Sequence, residues 1–403
     1  MKILFITNKP TIEPTDGASV LLWDFLEWFS RAGIEVHFIS ASKFSARNYA
    51  LREPLANLPV GVKERLPGFW RSKNKWFSTS PKIWLWRFLE RVGIFRNHVN
   101  RLDYKYSQIM TVSDAGEIAR FAETGEYDAV IVSYAWCAPI FSTIKSRGIR
   151  KGIIVHDIFQ KRASSWEKSG GVSDVPEEML VREVELMGLA DFVCIETSDD
   201  RSFIRKKLPH LETFLMPRTA IVQVNDTAPV EKSVLFVGGA TAHNIHGILW
   251  FLKRVWPLVY SKCIEAKLLI LGAVAQKITG AHQNVETIGP VFDLVPFYRS
   301  SAVCVIPLLA GSGFKTKLIE ALGFGKACVS TPVGAEGLAH LPEPPLVITE
   351  DEKEFAAAVI AFLTDHALRR KFEMRSVDYI QKFHNPNVIY NPILEYLNRS
   401  CVN

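Results

Sequence analysis

The sequence predicts an α/β protein built on parallel sheets and divided into two Rossmann-like domains. Short apolar runs of strand length alternate with helix-period segments along almost the whole chain, as parallel sheets with crossover helices require. At 403 residues the chain has room for two domains of ordinary size. Between them, Pro217 to Lys232 lacks periodicity, carries two prolines and Asn225-Asp226, and reads as a linker.

In the first domain, residues 1–216, strands are expected at Lys2–Thr7, Glu35–Ile39, Asp128–Ser133, Gly152–His156 and Phe192–Glu196. Between the first two, Ser19–Arg31 places apolar residues at 21, 22, 25 and 29, the spacing of one helix face, and Gly33 ends that helix. In the second domain, residues 233–385, the expected strands are Ser233–Gly238, Lys267–Gly272, Ala302–Pro307, Ala327–Thr331 and Leu346–Thr349. The closing segment, 386–403, is expected to be helical over Val388 to Leu397.

A hydrophobic content of 48% with 22% charged residues fits a soluble globular protein. No apolar run approaches 18 residues, so no membrane-spanning helix is expected. Met1–Thr7 is too short and too weakly charged for a signal peptide and reads as a first strand. The six cysteines show no C-x-x-C and no metal spacing, and several lie in strand-like runs where Cys acts as a small hydrophobe. A reducing cytoplasm fits that usage.

The net charge of +6 is concentrated in one place. Residues 63–105 hold eleven Lys/Arg against three acids, which leaves the rest of the chain close to neutral. Within 66–96 lie four of the ten tryptophans (70, 76, 84 and 86) with Phe69, Phe77, Phe88 and Phe95. Leu85, Phe88, Leu89 and Val92 keep helical spacing, with Arg87 and Arg91 off that stripe. Aromatic anchors with cations suit an interfacial helix on an anionic membrane surface. An insertion over about 62–105 packed on its own domain is the alternative. Nucleic acid is disfavoured, because no nucleic-acid module surrounds the segment.

Pro307 to Leu338 says most about function. An apolar strand runs into a loop with Gly311 and Gly313, and a helix follows with Lys315, Lys317 and, further in, Glu320. Glycines let backbone N–H groups approach an anion, and a helix N-terminus adds positive partial charge. The lysines add full charge. A carboxylate one to two turns further in can accept hydrogen bonds from two sugar hydroxyls, as acidic residues do for ribose elsewhere. Diphosphate at the loop and ribose at Glu320 together describe a nucleotide.

This segment resembles the donor site of glycosyltransferase family 4, the group 1 glycosyltransferases of GT-B fold. The resemblance extends back through V-L-F-V-G-G-A-T-A-H-N-I-H-G, L-L-I-L-G and V-E-T-I-G-P-V-F-D-L, over roughly residues 233 to 338. It implies two Rossmann-like domains facing across a deep cleft, with a terminal helix crossing back to the first domain. Two departures stand out: Ser312 replaces a Glu found in many members, and His243-Asn244 replaces a Lys in the loop after the first strand of the second domain. A branch of the family shares both changes and carries the G-S-G-x-[KR]-x-K-x-x-E form seen here, in which Lys317 stands as the substitute phosphate cation. The missing Glu puts the identity of the transferred sugar in question.

The resemblance implies donor contacts from Gly238, Gly239, Asn244, Gly311, Ser312, Gly313, Phe314 and Glu320, with Lys317 and Lys315 stabilising the leaving diphosphate. On the acceptor side it implies Gly17, after the loop that follows the first strand. His156 ends a strand as I-I-V-H-D, where polar side chains face a cleft, and Asp157 beside it is a candidate to orient the imidazole. Family 4 enzymes retain anomeric configuration, the diphosphate oxygen taking the acceptor proton, so no nucleophile is required. The implied function is transfer of a sugar from a nucleotide-diphosphate sugar to a glycan or lipid-linked acceptor, in cell-surface polysaccharide or glycolipid synthesis. A nucleotide-sugar epimerase of the same fold and a catalytically silent nucleotide-sugar-binding subunit remain alternatives. No Asp-x-Asp motif lies near these loops, so neither metal nor other cofactor is expected; Asp199-Asp200 reads as an N-cap. The first βα turn lacks G-x-G-x-x-G, which disfavours a dehydrogenase.

Overall fold

The computed structural model describes residues 1–9, 12–13, 17–46, 52–93, 109–168, 175, 177–223, 232–311, 315–336, 338 and 343–399. Two parallel sheets organise them. The first takes strands β1 (Lys2–Thr7), β2 (Glu35–Ser40), β4 (Lys63–Glu64), β7 (Ala129–Ser133), β8 (Arg150–Val155), β9 (Phe192–Ile195) and β10 (Glu212–Leu215), in the order β10-β9-β8-β7-β1-β2-β4. The second takes β11 (Ser233–Val237), β12 (Lys267–Leu271), β13 (Val285–Gly289), β14 (Val303–Ile306), β15 (Ala327–Ser330) and β16 (Val347–Ile348), in the order β13-β12-β11-β14-β15-β16. Every pairing in both sheets is parallel.

Central strands such as β7 and β14 are buried on both faces, which is why they read as unbroken apolar runs. Each sheet has one apolar cluster per face. Phe5 and Phe38 meet Leu22, Phe25 and Phe29 of the helix Gly17–Arg31 on one side of the first sheet, and Val130, Val132 and Trp136 lie on the other. The helix Pro386–Asn398 returns to the first sheet, where Ile389, Tyr390, Ile393 and Leu397 join the Phe25–Phe29 cluster. Asn385 caps it by accepting from the Asn387 amide at 2.9 Å.

The strands missing from the sequence reading are those with weak burial. β13 and β10 lie at sheet edges and keep polar residues exposed, so their apolar signal is diluted. In the basic segment a small antiparallel sheet forms from β3 (Arg52–Pro54), β5 (Phe69–Ser72) and β6 (Lys75–Ser78), order β3-β6-β5. Its hairpin turns at Lys73 with φ +51°, without the glycine that marks such turns in sequence. The helical stripe that follows is realised as the helix Pro81–Arg91. Residues 94–105 of the expected insertion and 224–231 of the expected linker lie outside the described residues.

Candidate functional site

The C-terminal ends of the two sheets face each other across a cleft of about 630 Å³. From the second sheet, β11 delivers Gly238 and Gly239 to the wall, and the helix Ala242–Trp250 starts behind them at Thr241. Gly272 follows β12 with φ +91°, and a Cβ there would collide with the Gly238 carbonyl. These two loops therefore close back-to-back through main chain alone. Asn244, buried in that helix, donates from Nδ2 to the Gly239 carbonyl at 3.0 Å.

β14 ends in the loop to the helix Thr316–Gly323. Gly311 has φ +121°, which favours glycine. Ser312, Gly313 and Phe314 lie outside the described residues. Lys315 holds the N-cap position, and Lys317 and Glu320 follow on the helix; all three line the cleft. Lys317 Nζ donates to Asn244 Oδ1 and sits 4.8 Å from the centre of the Phe236 ring. Burial, with repulsion from Lys315, lowers the Lys317 pKa to about 7, and Glu320 opposes that shift. Glu320 accepts from the Tyr298 hydroxyl at 3.2 Å and lies 3.8 Å from Arg218. Burial raises its pKa, with Arg218 the main opposing influence.

On the opposite wall His156 stands one residue beyond β8. Its Nε2 is 3.1 Å from Ser133 Oγ and its Nδ1 is 3.3 Å from Glu196 Oε1. The carboxylate that orients the imidazole is thus Glu196 and not Asp157, whose side chain accepts from Arg162 at 3.1 Å. Adjacent residues at a strand end point to different sides, whereas the equivalent end of the neighbouring strand lies alongside. Glu196 is held well above the usual carboxylate pKa by burial, with Asp157 and Asp200 adding to it. Gly17 opens the first helix, and Ala18 and Val20 of that helix line the cleft. Asp199 and Asp200 occupy a first helical turn whose actual N-cap is Thr197, accepting from the Asp200 amide at 3.0 Å.

The structure adds groups that the sequence reading missed. Glu196 was within reach of the same strand-end rule that singled out His156. Tyr134, at the end of β7, lines the cleft with φ +66°, a conformation costing about 1–3 kcal/mol for a residue with a side chain. An ionic chain crosses between the halves: Asp200 pairs with Lys161, Lys161 with Glu336 at 3.3 Å, and Glu336 with Lys315 at 3.4 Å. Glu183 fixes the start of the Lys161 helix by accepting from the Phe159 amide at 2.8 Å. Arg218, between the sheets, lies 3.8 Å from both Asp24 and Glu320. No sequence motif marks Lys161, Arg218 or Glu336, because their partners lie far away along the chain.

Chemically, the cleft offers two cations, main-chain glycines and a carboxylate on one wall, facing a histidine–carboxyl pair on the other. Residues 231–365 match the family described as "Glycosyl transferases group 1". A protein of Klebsiella pneumoniae, described as an uncharacterized 44.6 kDa protein in the cps region, is 26% identical over 175 residues. That alignment covers 40% of this chain and 45% of the relative, so the chain matches less than half of that protein's length. Among solved structures, sucrose-phosphate synthase from Thermosynechococcus elongatus superposes with a TM-score of 0.66 at 15% identity, covering 98% of each chain. TarM of S. aureus, solved as a point mutant in complex with fondaparinux, α-GlcNAc-glycerol and UDP, gives 0.68 at 12% identity over 98% of this chain and 99% of its own. The fold is GT-B.

Proposed function

We propose that this protein is a retaining, metal-independent glycosyltransferase that moves a sugar from a nucleotide-diphosphate sugar to a glycan or lipid-linked acceptor. The observation that carries the reading is the convergence of Gly238, Gly239, Asn244, Lys315, Lys317 and Glu320 on one wall of a cleft whose other wall presents His156. Glu320 receives the ribose hydroxyls, and Lys315 and Lys317 receive the diphosphate. As the bond to the anomeric carbon breaks, charge grows on the diphosphate oxygen and the lysines stabilise it. The same oxygen takes the acceptor hydroxyl's proton while that hydroxyl's oxygen bonds the anomeric carbon from the face the diphosphate leaves, which retains configuration. The UDP in the TarM complex and the cps-region setting of the Klebsiella relative support nucleotide-sugar use and polysaccharide synthesis. The test is release of free nucleoside diphosphate from a panel of nucleotide sugars, with and without a mixed glycan and lipid-linked acceptor fraction. Acceptor-dependent release supports transfer. Epimerised donor, or donor bound without release, contradicts it.

The acceptor side carries a second expectation, peripheral contact with an anionic membrane on the cytoplasmic face. No described helix is long and apolar enough to cross a membrane. The helix Pro81–Arg91 buries Ile83 yet leaves Leu85 58% and Phe88 61% exposed, beside Trp84, Trp86 and the cations Lys82, Arg87 and Arg91. Large apolar side chains in water beside cations suit a headgroup region, where each cation contributes about 1 kcal/mol. Co-sedimentation with anionic vesicles at low salt is expected for wild type and is expected to be lost in Leu85→Ser/Phe88→Ser. Wild type remaining in solution with anionic and neutral vesicles alike would refute membrane contact.

A further inference from the structure

A second cavity of about 610 Å³ lies at the outer edge of the first sheet, between β4 and the small antiparallel sheet. Lys63, Arg65 and Arg71 line it, together with Trp70 and Trp76. Among the described residues the one acid in its wall, Glu64, is already engaged. It pairs with the buried Lys43 at 2.9 Å, and its other oxygen accepts from the Trp76 indole at 2.8 Å and the Ala56 amide at 3.0 Å. Glu35 pairs with Lys63 at 3.3 Å from outside the cavity. Arg65 lies 3.0 Å from His37 Nε2, and Glu35 stands 3.0 Å from that same nitrogen; burial and Arg65 lower the His37 pKa to about 4. Neither Arg65 nor Arg71 has a carboxylate partner among the described residues.

Two guanidinium groups in one concavity, neither ion-paired with a carboxylate among the described residues, are arranged to receive carboxylate or phosphate, which match their planar fork of donors. The aromatic component is equally specific. Trp70 stacks on Phe77 at 5.0 Å with one face and is 50% exposed, so a flat apolar plate borders the cations. Sugar rings present C–H faces to such plates and hydroxyls to the polar rim. A bilayer would not fit within a concavity of this size, whereas it suits the convex face of Pro81–Arg91.

We propose that this cavity is a remote acceptor subsite for an acidic saccharide, one bearing uronate carboxylates or phosphate groups. The proposal rests on the glycosyltransferase reading and names the chemistry of its acceptor. In the sheet order, β4 stands four strands from β8, which carries His156 at its end. Four strand spacings amount to roughly 19 Å. An acceptor touching both places is therefore a chain of several sugars and not a single residue.

The full-length protein is titrated calorimetrically with a short oligogalacturonate, a glycerol-phosphate oligomer and a neutral maltooligosaccharide of similar length. At least one acidic probe is expected to bind ten or more times tighter than the neutral one. Arg71→Ser and Trp70→Ala, both at exposed positions, are each expected to weaken that binding about tenfold, and UDP binding is measured in the same samples. Preference for the oligogalacturonate or for the phosphate oligomer identifies which anion the site takes. Equal binding of neutral and acidic probes, or variants that bind as wild type does, overturns the subsite. So does binding to phosphatidylglycerol vesicles with no binding to either soluble acidic probe. If UDP binds while the acidic probes do not, the subsite fails and the donor reading stands; the donor reading falls only if none of UDP, GDP, ADP, CDP and TDP binds to the same samples.

Discussion

Lys317→Met is expected to lower turnover by about 10²–10³-fold, the usual cost of removing one preorganised donor from a developing oxyanion, while raising the melting temperature. In the proposed reaction Lys317 is the cation beside the leaving diphosphate; it is held by Asn244 and placed over Phe236. Its interaction with the diphosphate strengthens as charge develops, so kcat falls more than the donor KM rises. The stability gain follows from its environment. Burial and Lys315 lower its folded pKa from the ordinary 10.5 to about 7. The unfolded chain then binds the proton more tightly than the folded one. The resulting penalty on the fold is full below pH 7 and fades as pH rises toward 10.5. Methionine keeps the bulk and removes that penalty, a gain expected to outweigh the cost, about 1–3 kcal/mol, of leaving the buried Asn244 Oδ1 without its donor. A variant that loses stability and activity together would mean that Lys317 is structural. Turnover is also expected to survive EDTA; loss with EDTA and recovery with Mg²⁺ would reveal a metal requirement.

Glu320→Ala is expected to weaken nucleoside diphosphate binding by roughly 100-fold. A hydrogen bond to a charged group contributes about 1.5–3 kcal/mol, and two ribose hydroxyls are lost as partners. The alanine variant has a second effect. Tyr298 is buried and donates its hydroxyl to Glu320, so truncation leaves that hydroxyl without its acceptor, at a cost of about 1–3 kcal/mol of stability. Glu320→Gln keeps an acceptor for Tyr298 and separates the two effects. It is expected to melt close to wild type and still to bind nucleotide more weakly. Isothermal calorimetry on both variants checks this. Wild-type affinity in either one would remove Glu320 from the ribose site.

Much of this was legible in the chain. The central strands β1, β7, β11 and β14 are buried on both faces, so their apolar runs announce them. Gly311, Lys315, Lys317 and Glu320 fall within one continuous segment, where local spacing carries the information. What the sequence concealed depends on partners distant in the chain. The depressed pKa of Lys317 comes from burial against Asn244 and Phe236, on a different strand and helix. Asp157 looked like the partner of His156 because it is adjacent in sequence, whereas Glu196 is adjacent in space. The cross-cleft pairing of Lys161 with Glu336 joins residues separated by 175 positions. The hairpin in the basic segment escaped because its turn uses Lys73 in the left-handed region, where sequence rules look for glycine.

The most direct test of the nucleotide-diphosphate site is calorimetric titration of the wild-type protein with UDP, GDP, ADP, CDP and TDP in EDTA, repeated at about pH 6.5 and 8.5 in buffers of different ionisation enthalpy. A diphosphate placed on Lys317 restores the proton that burial has made easy to lose. Below pH 7 the lysine is already charged; above it, binding must take up a proton, so affinity falls as pH rises. At least one diphosphate is expected to bind, more weakly at the higher pH than at the lower, with proton uptake at the higher pH that disappears in Lys317→Met. Binding by none of the five would contradict the site itself, and tight binding with no proton uptake in wild type would place the diphosphate away from Lys317.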